Sequence, residues 1–237
     1  MKYFGAGLGE RYKELSAAIR KEKNPDKAQK LFLTLHAGLH LSAVTATQAN
    51  EVDALLGDLS PGEYRMMPTS KDETIAWALW HLARIEDLTM NILVAEGVQI
   101  FDEEWQKRLN APVCDTGNAM TDDEIMLLSE RLDSAALLAY RSTVGRRTQE
   151  IVKNLSAADW KRKVTPQGIA QIRQAGGVTP QEESLWLLDY WGKKDVAGLL
   201  LIPPTRHALL HLNDCGTWKD HIRRGKTCFR TAQGYGT

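Results

Sequence analysis

Four stretches of this chain repeat their apolar residues at three-and-four spacing, and nothing between them alternates apolar with polar for long enough to make a strand. That pattern excludes the sheet folds and leaves an all-α protein. Asn24-Pro25-Asp26 supplies a cap and a proline at the first helical position, and Gly57 supplies a stop, so the first stretch predicts a helix over 25–56. Ser70-Lys71-Asp72-Glu73 has the spacing of a capping box and opens a second helix over 70–96, before Gly97. Thr121-Asp122-Asp123-Glu124 repeats the box for a third over 121–155, and Pro203-Pro204 starts a fourth that runs to Arg224 before Gly225. Long connections over 97–120 and 156–204 separate them. The fold expected is a four-helix bundle with two long connections carrying short extra helices.

The chain's 237 residues suit a single domain. Its leading segment, 1–24, carries a short amphipathic helix over 8–23, and its polar tail, 226–237, reads as loose. The helical insertion at 156–204 is rich in large aromatics, Trp186 and Tyr190 among them, and can cap a bundle end or make a dimer contact. Thirty Lys+Arg balance 30 Asp+Glu with no long run of one sign, which argues against a nucleic-acid or anionic-membrane surface. Cys114, Cys215 and Cys228 are an odd number without CxxC spacing, so neither a disulfide framework nor a thiolate zinc site is expected. A reducing cytoplasm is the compartment this predicts. No signal-peptide stretch opens the sequence, and no run approaches the roughly 20 apolar residues that cross a bilayer.

Histidine is where the chemistry concentrates. His207 and His211 stand four residues apart on the last predicted helix, a spacing that puts both imidazoles on one face, about 6 Å apart along the axis. Two ligands do not complete a site, and a catalytic ion usually takes three from the protein with a position left open. On the second helix the inward stripe is Trp77, Ala78, His81, Ile85, Leu88 and Ile92, with His81 at its middle. A bundle core can bring His81 to the His207/His211 pair, giving a three-histidine metal site. His36 and His40 form another His-x3-His on the first helix and are read as candidate catalytic groups, for proton handling or substrate contact. Glu86 and Asp87 read as solvated acids, and Cys215, four residues beyond His211, as a small buried hydrophobe rather than a fourth ligand.

These residues carry a resemblance. Trp77-Ala78-Leu79-Trp80-His81-Leu82-Ala83-Arg84-Ile85-Glu86-Asp87 is similar to the second-helix signature of the DinB-like superfamily, and Arg206-His207-Ala208-Leu209-Leu210-His211-Leu212-Asn213 resembles its last-helix His-x3-His motif. The resemblance implies a divalent metal, usually zinc or nickel, on His81, His207 and His211. It also implies a homodimer and a small-molecule substrate, with relatives that transfer or isomerise by means of low-molecular-weight thiols. The expected function is metal-dependent transfer of a small thiol to an electrophile, or hydrolysis of a small substrate. The rival expectation is a non-catalytic, metal-stabilised bundle serving as a stress-related ligand-binding or interaction module.

Overall fold

The structure is a computed structural model that describes residues 5, 7–21, 25–225, 229–231 and 234–235. In chain order its helices are α1 (Leu8–Ile19), α2 (Pro25–Ala37), α3 (Glu51–Leu56), α4 (Pro61–Arg65), α5 (Ile75–Asp87), α6 (Glu103–Leu109), α7 (Asp122–Arg131), α8 (Ser134–Asn154), α9 (Pro166–Gln174), α10 (Glu182–Gly192), α11 (Val196–Leu200) and α12 (Ala208–Arg223). Strand pairing among the described residues amounts to an antiparallel pair of two-residue strands, β1 (Arg230–Thr231) and β2 (Gly234–Tyr235), and isolated bridges at Met67–Arg230 and Lys163–Asp195. The all-α expectation holds, and among the described residues no helix is long and apolar enough to cross a membrane.

Helix α5 is the axis. Every residue from Ile75 to Asp87 is buried, which is the behaviour of a helix packed on all sides. It lies against α8 and α12, and α2 closes the bundle on α8. A consequence is that the polar residues it carries, His81, Arg84, Glu86 and Asp87, are all interior and must all find partners.

The helices are more broken than their apolar spacing predicts. The first ends at Ala37 instead of running to residue 56, because Gly38 lets the chain turn against Leu8 and because Asn50 starts a new helix of its own. Asn50 accepts Val52 N–H and Asp53 N–H, while its amide donates to the carbonyls of His40 and Ala37. The expected cap at Asn24 lies outside the described residues. The box at Ser70 does not start α5 either; Thr74 does, accepting Trp77 N–H at 3.0 Å. The box at Thr121 forms as expected, but the third helix is interrupted at Leu132-Asp133, where Asp133 caps α8 through Ala136 N–H. Within the tail, residues 229–230 are tied by backbone hydrogen bonds to Met67 and Pro68.

Two helical segments widen to π-helical turns, Leu88–Val94 at the end of α5 and Ile202–His207 leading into α12. Pro203 and Pro204 explain the second: neither has an N–H to close an ordinary turn. Thr205 Oγ1 compensates by donating to Leu200 O at 2.8 Å. Such turns recur near functional sites, and this one delivers His207.

Candidate metal centre

His81 sits halfway along α5, 3% exposed, under the ring of Trp77, which stacks on it at 4.8 Å and 10°. Its Nδ1 donates to the carbonyl of Thr116 at 2.7 Å, which leaves a lone pair on Nε2. That is the tautomer a metal ligand needs, held by a carbonyl partner of the kind that orients ligand imidazoles. Three neighbours on α5 grip the same loop. Arg84 Nε donates to Cys114 O at 3.0 Å, Trp80 Nε1 to Asp115 O at 3.0 Å and Trp77 Nε1 to Gly117 O at 3.1 Å. Four successive carbonyls, 114 to 117, are thus fastened to about two turns of helix. The peptide strap that orients His81 is itself oriented by α5.

The other two histidines arrive from α12 and its approach. His207 Nε2 lies 3.2 Å from His81 Nε2, the His207 and His211 rings are 4.6 Å apart, and one nitrogen from each of the three lies within 4.8 Å of the others. Zinc–nitrogen bonds of about 2.0–2.1 Å at tetrahedral angles separate the nitrogens by roughly 3.3 Å, so the trio is close to the spacing a divalent ion demands. Nδ1 of His207 and Nδ1 of His211 are buried without a hydrogen-bond partner among the described residues. Burial keeps all three imidazoles neutral: it lowers His81, with His211 adding, to about 3, lowers His211 to about 4, and with His81 and His211 holds His207 well below the usual range. Three neutral nitrogens without cations of their own converge, a donor set that fits a divalent ion.

The trio forms one wall of a cavity of about 500 Å³. Helix α10, from the insertion, contributes Trp186, Tyr190 and Trp191 to it, and the approach to α12 contributes Ile202 and Pro203. Cys215 stays out of the trio; it is fully buried, and burial followed by Asp214 pushes its thiol far up, so it is protonated and a poor ligand.

His36 and His40 do not join this site. They meet Glu86, which lies five residues beyond His81 and therefore roughly 140° around α5. Glu86 accepts His36 Nε2–H at 2.8 Å, His40 Nε2–H at 3.1 Å and Thr148 Oγ1–H at 2.7 Å. Glu86 and Asp87 are accordingly interior, not solvated, and neither orients His81. Asp87 instead accepts Ile100 N–H, Phe101 N–H and Tyr140 O–H and pairs with Arg84.

The His36/His40/Glu86 cluster has the residue types of a second metal site, but its protons are in the wrong places. Gln149 Nε2 donates to Leu33 O at 3.1 Å, which fixes its amide, and the same nitrogen faces His36 Nδ1 at 2.9 Å. His36 Nδ1 is therefore an acceptor, and Nε2 carries the proton, leaving no lone pair toward Glu86. Buried Arg141 already supplies the countercharge, its pKa lowered by burial and raised in turn by Glu86. Burial drives the Glu86 carboxyl up, but His40 and His36 outweigh it and hold it well below the carboxylate range. Burial lowers His40 to about 3, with Glu86 opposing. The cluster is a hydrogen-bonded clamp across α2, α5 and α8.

Sequence reasoning had no way to find the Thr116 carbonyl, 35 residues from His81. The burial of Glu86 was within reach, since Ala76, Leu79, Leu82 and Ala83 make α5 apolar on every side, and any charge on it is interior. A search of curated proteins gives no match. The family model of the DinB superfamily matches residues 45–188, which take in α5, its strap, α8 and most of the insertion but end before His207 and His211. With more than half of its length matched, and with a helical bundle around α5, this chain belongs to the DinB superfamily.

Proposed function

We propose that the protein is a divalent-metal-dependent enzyme that joins a low-molecular-weight thiol to an electrophile, with His81, His207 and His211 as the metal ligands. One observation carries the reading: three neutral imidazoles converge on the wall of a cavity large enough for a small molecule. A divalent ion held there supplies positive charge that lowers the pKa of a thiol or water and makes a nucleophile near neutral pH. Zinc and nickel both accept three imidazoles, and the family resemblance favours that pair. The thiol co-substrate and a homodimer are likewise carried over from the resemblance, and the odd cysteine count without CxxC spacing supports a cytoplasmic setting. Hydrolysis of a small substrate uses the same ligands, with water in place of the thiol.

The chain's own residues do the positioning. The Thr116 carbonyl and the Trp77 ring hold His81 in one orientation, so that Nε2 points at the convergence. Trp186, Tyr190 and Trp191 give the cavity an aromatic wall that excludes water and takes the apolar body of a substrate. His36 and His40, sealed against Glu86, support α5 through the clamp instead of handling substrate protons.

The test is the rate of addition of 2-mercaptoethanol and of glutathione to a chloronitroaromatic electrophile. Zinc- or nickel-loaded protein is expected to accelerate it over the His81→Ala variant. Equal rates with both proteins and both metals contradict the thiol reading.

A further inference from the structure

The segment entering α5 contains a carboxylate with no structural use. Because Thr74 takes the cap, Glu73 precedes the helix and is released from the capping role its spacing suggests. Its side chain instead lines the cavity that holds His81, His207 and His211. Its neighbour Asp72 is fully engaged, accepting from Thr69 Oγ1 at 2.6 Å and from Trp218 Nε1 at 3.0 Å. Glu73 is bonded only by its own backbone N–H, and no ion pair or side-chain donor meets it among the described residues. The charged groups facing it are all acidic: Asp214 on α12, Asp72 beside it and Asp122 on α7. Burial, then Asp214, raises its pKa. A half-buried carboxyl that is unpaired, faces only like charge and shares a cavity with a metal-binding trio is poorly explained by stability and well explained by proton transfer.

We infer that Glu73 is a catalytic residue, the proton acceptor and donor for the reaction at the histidine trio. It is not a ligand, since its carboxylate is not among the donor atoms that converge within 4.8 Å. In the forward direction the carboxylate takes the proton of a thiol S–H or water O–H as that group becomes the nucleophile. The nucleophile's electron pair forms the new bond to the electrophilic carbon. The pair displaced from that carbon, into a neighbouring atom or a leaving group, then takes the proton from the Glu73 carboxylic acid, so charge and protons balance.

The inference rests on the metal reading above, and proton counting separates the two. Acetohydroxamic acid is neutral near neutral pH and binds divalent ions as its anion, releasing a proton. Its binding to cobalt-loaded protein is measured by calorimetry in buffers of different ionisation enthalpy, for the wild type and Glu73→Gln. The wild type is expected to release about zero protons to buffer, because Glu73 takes up the one given off, and Glu73→Gln about one, with cobalt affinity unchanged. Asp214→Asn should keep the wild-type count. Equal counts in wild type and Glu73→Gln, or cobalt-loaded protein that does not bind the hydroxamate, overturn the inference and leave the metal reading standing. Weaker cobalt binding by Glu73→Gln makes it a ligand and overturns it as well. Failure of the wild type to bind cobalt overturns both.

Discussion

His81, His207 and His211 differ from ordinary surface histidines in one respect that decides their chemistry: the fold keeps them uncharged. Burial lowers His81 from an ordinary 6.5 to about 3 and His211 to about 4. The unfolded chain therefore binds protons at these positions before the folded one does, and protonation pulls toward the unfolded state. His40, lowered to about 3, adds to the same effect. Stability of the metal-free protein should be full above pH 6.5 and fall as pH drops toward 4. The check is the thermal midpoint in chelator-treated buffer across that window. A flat midpoint contradicts the burial of neutral imidazoles, while His207→Gln should flatten it in part. The His207/His211 pair was legible from its spacing, since four residues on a helix make one face, and His81 was added from its place on the inward stripe and from the family resemblance. The protonation of the trio was not legible, because it depends on a carbonyl and on burial contributed by distant segments. Glu73 was legible only as half of a capping box, and its release depends on Thr74 winning the cap through a hydroxyl that also meets Ser129 at 2.6 Å.

At the scale of elements, helix positions followed the apolar spacing and helix ends did not. Asn50 and Asp133 broke two predicted helices because their side-chain hydrogen bonds to the backbone competed with helix continuation, and Gly38 let the first of them turn against Leu8. These breaks place function: the turn after Ala37 lets His36 and His40 fold onto Glu86, and the π-helical turn at Pro203-Pro204 brings His207 toward His81. The strap from Cys114 to Gly117 is the element that sequence could not reveal. It has no regular structure, and its role is defined by carbonyls that point at α5. Trp80→Phe keeps an aromatic ring at this buried position while removing the bond to Asp115 O together with part of the indole. We expect it to weaken metal affinity about tenfold, in the lower part of the range seen when outer partners of a ligand are lost. Unchanged affinity by competition with a chromophoric chelator would show that the strap holds without it.

In the whole molecule, two histidine clusters, one wholly buried and one partly so, lie on different faces of one central helix, and they differ in what their protons permit. One brings three neutral imidazoles together at a cavity; the other has its protons committed to a carboxylate whose charge Arg141 balances. The fold class was legible because helical periodicity survives without any long-range information. The assignment of six charged and imidazole side chains to two centres was not, since it rests on which face of α5 meets α2 and which meets α12. The measurement that bears most directly on this division is metal content after equilibration with zinc or nickel and removal of excess, on protein carrying no histidine tag. Wild type and Glu86→Gln should each retain about one divalent ion per chain, and His81→Ala and His207→Ala none. Retention by His207→Ala together with loss in Glu86→Gln would put the metal in the other cluster and contradict the account.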